Sequence, residues 1–68
     1  MRLDEVKWVI ADTSLHRYAT PVGDVWIFQW VVDGSYEIHD DRSSPKGRWR
    51  NLDLITAQAI LFELLPEG

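Results

Sequence analysis

The run Val25-Trp26-Ile27-Phe28-Gln29-Trp30-Val31-Val32 constrains this chain most, because it is β-branched or aromatic throughout except for Gln29. Side chains alternate sides along a strand. Trp26, Phe28 and Trp30 therefore point one way and Val25, Ile27 and Val31 the other, and both sets favour burial. A chain of 68 residues is near the lower limit at which one core outweighs conformational entropy without a disulfide, a metal or a partner. It has little material with which to cover both sides of a strand. The run alone leads us to expect an interface, with a second copy or with another protein.

Composition narrows the class. There is no cysteine, so disulfides and thiolate ligands are both excluded. A hydrophobic fraction of 46% with four tryptophans is too rich for a disordered chain, and no window approaches the roughly 20 apolar residues of a membrane span. Residues 1–68 read as one compact domain with no repeat, linker or low-complexity tract. The opening Met1-Arg2-Leu3-Asp4-Glu5 turns acidic at once and has no secretory pattern, so a cytoplasmic location without membrane attachment is the expectation.

The net charge of −4 is unevenly placed. Residues 42–50 hold Arg42, Lys46, Arg48 and Arg50 and no acid, so that segment is +4; elsewhere eleven acids against Arg2, Lys7 and Arg17 leave −8. Affinity for polyanions rests on clustered cations, so the balance disfavours nonspecific nucleic-acid binding by the whole domain. The basic segment alone remains a candidate contact.

Val6–Ala11 reads as a first strand on propensity, closed by Asp12-Thr13-Ser14. Leu15–Thr20 reads as a second, with Leu15, Arg17 and Ala19 alternating against His16, Tyr18 and Thr20, and Pro21-Val22-Gly23-Asp24 breaks it. The third strand, Val25–Val32, leads through Asp33-Gly34 into Ser35–Asp40 as a β-hairpin. With a two-residue loop, Trp30 pairs Glu37, so Glu37 and His39 join the aromatic face and Tyr36 and Ile38 the aliphatic one. With a three-residue loop and Gly34 left-handed, Trp30 pairs Tyr36. One face then carries Trp26, Phe28, Trp30, Tyr36 and Ile38, and the other Val25, Ile27, Gln29, Val31, Ser35, Glu37 and His39. The second register segregates polarity more cleanly and is preferred; a one-residue slip reverses every side chain of one strand relative to the other.

After a loop over Arg42–Gly47, Arg48-Trp49-Arg50 forms a brief extended segment or packs Trp49 as a lid. Asn51 or Asp53 then caps a helix running to about Leu65. At 100° per residue, Leu54, Leu61 and Leu65 share one line, with Ala57, Ile60 and Leu64 on one side and Ile55 and Phe62 on the other. Only Thr56, Ala59 and Glu63 form a polar strip, narrower than a helix on a sheet normally shows. Strand and helix together predict a homodimer that covers Val25, Ile27 and Val31 on the sheet and Ile60 and Leu64 on the helix flank.

Chemical constellations are sparse. Glu37, His39 and Asp41 could line one strand side as a cation site, but they read first as a solvated rim, and no cofactor or metal is expected. Ser14, Ser43 and Ser44 lack the local turn of a nucleophile, and the chain reads as non-enzymatic with no catalytic residue. Arg42, Lys46, Arg48, Trp49 and Arg50 could grip phosphates or an acidic peptide; the plainer reading is solubilising charge with Trp49 turned into the core. Trp8, Trp26, Phe28 and Trp30 could form a stacking platform; the plainer reading puts the last three in the core beneath the helix.

The expected fold is therefore α+β, a small antiparallel β-meander of three to four strands followed by one C-terminal helix packed on the sheet. That layout is similar to small DNA-binding domains with a three-stranded sheet and a C-terminal helix, whose sheet is strongly basic. Here the hairpin carries Asp33, Glu37 and Asp40 and neither Lys nor Arg. The expected function is a protein-interaction domain acting as a homodimer, as inhibitor, adaptor or assembly factor. The alternative is a nucleic-acid binder that uses Arg42–Arg50.

Overall fold

A computed structural model describes residues 2–11, 13–42 and 45–65 of the chain. Its strands are β1 (Ile10–Ala11), β2 (Leu15–Ala19), β3 (Val25–Trp30), β4 (Tyr36–Asp40) and β5 (Gly47–Leu52), and one helix, α1 (Leu54–Leu64), follows. The strands pair antiparallel in sequential order, and α1 packs over β4 and β5. This is the expected α+β meander with a C-terminal helix. It gains a strand because the segment around Trp49 is a full partner of β4. No helix among the described residues is long and apolar enough to cross a membrane.

The hairpin decides which face becomes the core. Ile27 pairs Ile38, Val25 pairs Asp40 and Gln29 pairs Tyr36, leaving a four-residue loop, Val31–Gly34, closed by Trp30 N–H to Ser35 O at 2.9 Å and Gly34 N–H to Trp30 O at 2.8 Å. Gly34 is left-handed as expected, with φ 72°, but the loop is one residue longer than preferred. That slip moves Tyr36 and Ile38 to the aliphatic face and Glu37 and His39 to the aromatic one. Val25, Ile27 and Ile38 are 0% exposed and form the core with Ala57, Leu61, Leu65 and Leu3. The helix thus lies on the aliphatic face, and the expectation that Trp26, Phe28 and Trp30 sit beneath it is corrected. Aromatic packing on the core comes instead from Trp8, Tyr18, Tyr36 and Trp49, which occupy the space three further large rings would have needed.

The N-terminal segment departs from propensity. Only Ile10–Ala11 forms a strand, with Val9 N–H to Arg17 O at 2.8 Å adding one more bond. Leu3 starts a single 3-10 turn (Leu3–Glu5). It is buried, and its N–H donates to Gln58 Oε1 at 2.6 Å. Docking of this segment against the helix overrides the β-propensity of Val6–Val9.

Two local devices complete the sheet. Between Trp49, opposite Ile38, and Leu52, opposite Tyr36, β5 holds two residues where β4 holds one. In this bulge Asn51 is left-handed, with φ 56°, which asparagine tolerates. The extra residue lets Trp49 and Leu52, three apart in sequence, both pack on the core. Asp53, not Asn51, caps α1, its carboxylate accepting from Thr56 N–H at 2.7 Å. The β2–β3 turn is held by buried Thr20, whose hydroxyl contacts Val22 O at 2.7 Å and Val25 O at 2.8 Å.

Two substitutions test this packing. Ile38→Ala empties a fully buried site and is expected to cost about 2–5 kcal/mol in denaturant unfolding. A Cβ on Gly47 would lie 2.7 Å from the Trp49 ring, so Gly47→Ala is expected to cost about 1–3 kcal/mol; an unchanged midpoint would show that Trp49 is not seated on the core.

Candidate functional site

The aromatic face of β3 lies on the side of the sheet opposite α1. Cross-strand pairing arranges it in rows: Leu15, Trp30 and Ser35; Arg17, Phe28 and Glu37; and Ala19, Trp26, His39 and Arg48. Trp26 and Phe28 are half-buried and Trp30 is 37% exposed. The Arg17 guanidinium stands 5.0 Å from the Trp26 ring centroid, a cation–π distance. Its Nε is buried with no hydrogen-bond partner among the described residues. The His39 ring lies 4.5 Å from that of Phe28.

Glu37 ties the rows together. Its Oε1 accepts from the Trp30 indole N–H at 2.9 Å, and its Oε2 is 3.0 Å from His39 Nε2. Burial pushes this carboxyl up, but the Trp30 hydrogen bond, then His39 by hydrogen bond and charge, then Arg50 outweigh it and hold the group below its ordinary value. An ionised carboxylate therefore sits at the middle of the face.

The basic segment divides. Arg42 grips Asp40 through two bonds, Nε to Oδ1 at 2.9 Å and Nη2 to Oδ2 at 2.8 Å, and reaches Leu64 O at the end of α1 at 3.4 Å. Arg48 pairs Asp41 at 2.6 Å. Trp49 packs on the core, and Lys46 and Arg50 are exposed. The sequence brought these five residues together as one contact, whereas the strand places Arg48 on the aromatic face, Trp49 on the opposite one and Arg42 in a structural clamp.

The five residues expected at a self-interface are also redistributed. Val25 and Ile27 are covered within the chain and have no surface to offer. Ile60 and Leu64 pack partly against the core. Val31 is exposed in the hairpin loop, its N–H bonded to Ser14 O at 3.1 Å. The exposed helix flank is Leu54, Ile55 and Phe62, with Ile55 at 81%, and with Ala59 it lines an apolar groove of about 660 Å³. His16 lies on the helix side of the sheet, opposite Gln29 and near Trp8, so it does not approach His39. Among the described residues no group of three His, Asp or Glu could hold a metal ion; Ser43 and Ser44 lie outside them.

Arg17 was the residue that sequence reasoning missed. Its signal was the alternation Leu15, Arg17, Ala19, which becomes informative only once β2 is registered on Phe28. No family model matches this chain, and neither does any curated protein or solved structure.

The clamp gives a pH prediction. Asp40 is held below its ordinary value first by the Arg42 side chain, against burial, with the Arg42 N–H adding to it. A depressed carboxylate contributes stability above its unfolded pKa and loses it as pH falls through the folded one. The melting temperature is therefore expected to fall below about pH 4. Arg42→Ala should lower it at pH 7, and the gap from the unaltered chain should narrow toward pH 3. A gap independent of pH would show that the pair carries no linkage.

Proposed function

We propose that this chain is a non-enzymatic protein-interaction domain, an inhibitor, adaptor or assembly factor, and that the outer sheet face is its contact surface. The observation that carries this reading is the placement of α1 on the aliphatic face, which leaves Trp26, Phe28 and Trp30 in rows with Arg17, His39 and Arg48 on the other side. Tryptophan and arginine are the residues that most often dominate protein–protein contacts, and a half-buried, pre-ordered ring loses little entropy when it is covered.

A second reading, nucleic-acid binding, gains from the same strands, because Arg48 joins the tryptophans and Arg50 lies close enough to act on Glu37. Three details favour the first. Arg17 and His39 already cover Trp26 and Phe28, so a base would have to displace them before stacking. Arg48 is paired with an acid. The Glu37 carboxylate, held ionised at the centre of the face, repels phosphate.

Fluorescence anisotropy with a labelled 20-nucleotide single strand and a duplex, at low and at physiological salt, separates the two. The protein-contact reading expects no saturable binding up to tens of micromolar. Micromolar binding that weakens steeply with salt and disappears in Arg48→Ala/Arg50→Ala would overturn it.

A further inference from the structure

Resting on the reading of the outer sheet face as a contact surface, we propose that its occupant is a second copy of this chain, paired face to face about a two-fold axis running along β3. Each Arg17 then meets the partner's Glu37.

The central row carries the argument. Arg17, Phe28 and Glu37 are direct cross-strand neighbours, so a positive and a negative group flank β3 at about 4.8 Å on either side. For two identical sheets meeting by their outer faces, the two-fold axis lies in the plane between them. An axis across the strands sets Arg17 on Arg17 and Glu37 on Glu37, with like charges opposed. An axis along β3 exchanges the two sides of the row and makes two opposite-charge contacts. The charge pattern thus selects one of the two arrangements, and selection by repulsion of the alternative is how self-complementary surfaces become specific.

The chosen axis also suits the apolar groups. Trp26, Phe28 and Trp30 lie along β3, so each faces its own copy across the axis, Trp26 and Phe28 with Arg17 and His39 set against them, and the exposed Trp30 rings can pack offset or edge to face. The two sheets remain near aligned, the common geometry of a β-sandwich with layers about 10 Å apart. Arg17 enters with its guanidinium set over the Trp26 ring and with no carboxylate partner among the described residues, and the partner's Glu37 supplies one. Glu37 uses one bond on each oxygen and retains lone pairs to accept more. Four strands and five residues span about 19 by 17 Å, a small interface, so the dimer is weak and concentration-dependent.

Sedimentation velocity from micromolar to millimolar chain, with circular dichroism to verify folding, tests the arrangement. The unaltered chain should dimerise, and Arg17→Glu and Glu37→Arg should each weaken self-association by about tenfold or more. Mixed one to one, the two variants should associate, because each carries the charges the other lacks. The chain has no cysteine, so a single Trp30→Cys, near the axis, should be joined to its copy by a short bifunctional thiol reagent that spans the layer spacing of about 10 Å, while Ile55→Cys should not. This readout stands even if a charge variant fails to fold.

An unaltered chain that stays monomeric at millimolar concentration would overturn self-pairing but leave the outer face as a surface for another protein. A dimer unmoved by the charge variants, with cross-linking at Ile55→Cys and not at Trp30→Cys, would place the self-interface on the helix flank and overturn pairing through the outer sheet face.

Discussion

The pairing of Ile27 with Ile38 is the contact from which the rest of this structure follows. Side chains alternate along both strands, so this one pair fixes the side taken by every residue of β3 and β4. It gathers Val25, Ile27 and Ile38 into a compact aliphatic patch that Ala57 and Leu61 can approach closely, and all five are fully buried. The helix side therefore has a dry centre of modest side chains, with Trp8, Tyr18, Tyr36 and Trp49 packed against it. The opposite parity would have put three large rings under an eleven-residue helix and left Val25 and Ile27 facing water.

Elements whose signals are local were legible in the sequence. The helix could be placed from a cap at Asn51 or Asp53 and its run of apolar residues, the hairpin from Asp33-Gly34, and the β2–β3 break from Pro21-Val22-Gly23-Asp24. These depend on φ preferences and on side-chain bonds to nearby backbone, which a sequence carries directly. The register was not legible, because it turns on one residue of loop length. Asp33-Gly34 can end a loop of two, three or four residues, and the Asp33 carboxylate accepts from Ser35 N–H at 2.9 Å in the loop that forms. Cleaner segregation of polarity was a poor guide, because burial of Ile27 with Ile38 outweighs exposure of half-covered aromatics. The bulge at Arg50-Asn51 was hidden for a similar reason: a strict period of two puts Trp49 and Leu52 on opposite faces, and only an inserted residue reconciles them.

The outer face shows how a sheet side can hold large rings without a second layer. Each ring is met by a polar group from a neighbouring strand: Arg17 over Trp26, His39 beside Phe28, and Glu37 on the Trp30 N–H. These contacts join β2, β3 and β4 across the hydrogen-bonded ladder. They also place both signs of charge on one surface, so it differs from the evenly basic sheet of a phosphate binder.

Placement of charge, more than its sum, separates the surfaces of this domain. Of the four cations clustered between residues 42 and 50, Arg42 locks Asp40 and reaches the end of the helix, and Arg48 is paired with Asp41. Those two serve the fold before they can serve a ligand, because Arg42 in its two-bond grip on Asp40 and Arg48 in its single contact with Asp41 must each give up a carboxylate to bind another anion. Arg17, a lone cation in an otherwise alternating strand, is set over an indole, and its buried Nε has no acceptor among the described residues. With no carboxylate partner among the described residues, Arg17 has no ion pair to give up when a new carboxylate arrives, whereas an arginine already paired does. The segment that looked most functional by composition is thus largely structural, and the arginine that composition passed over is the one whose environment is left incomplete.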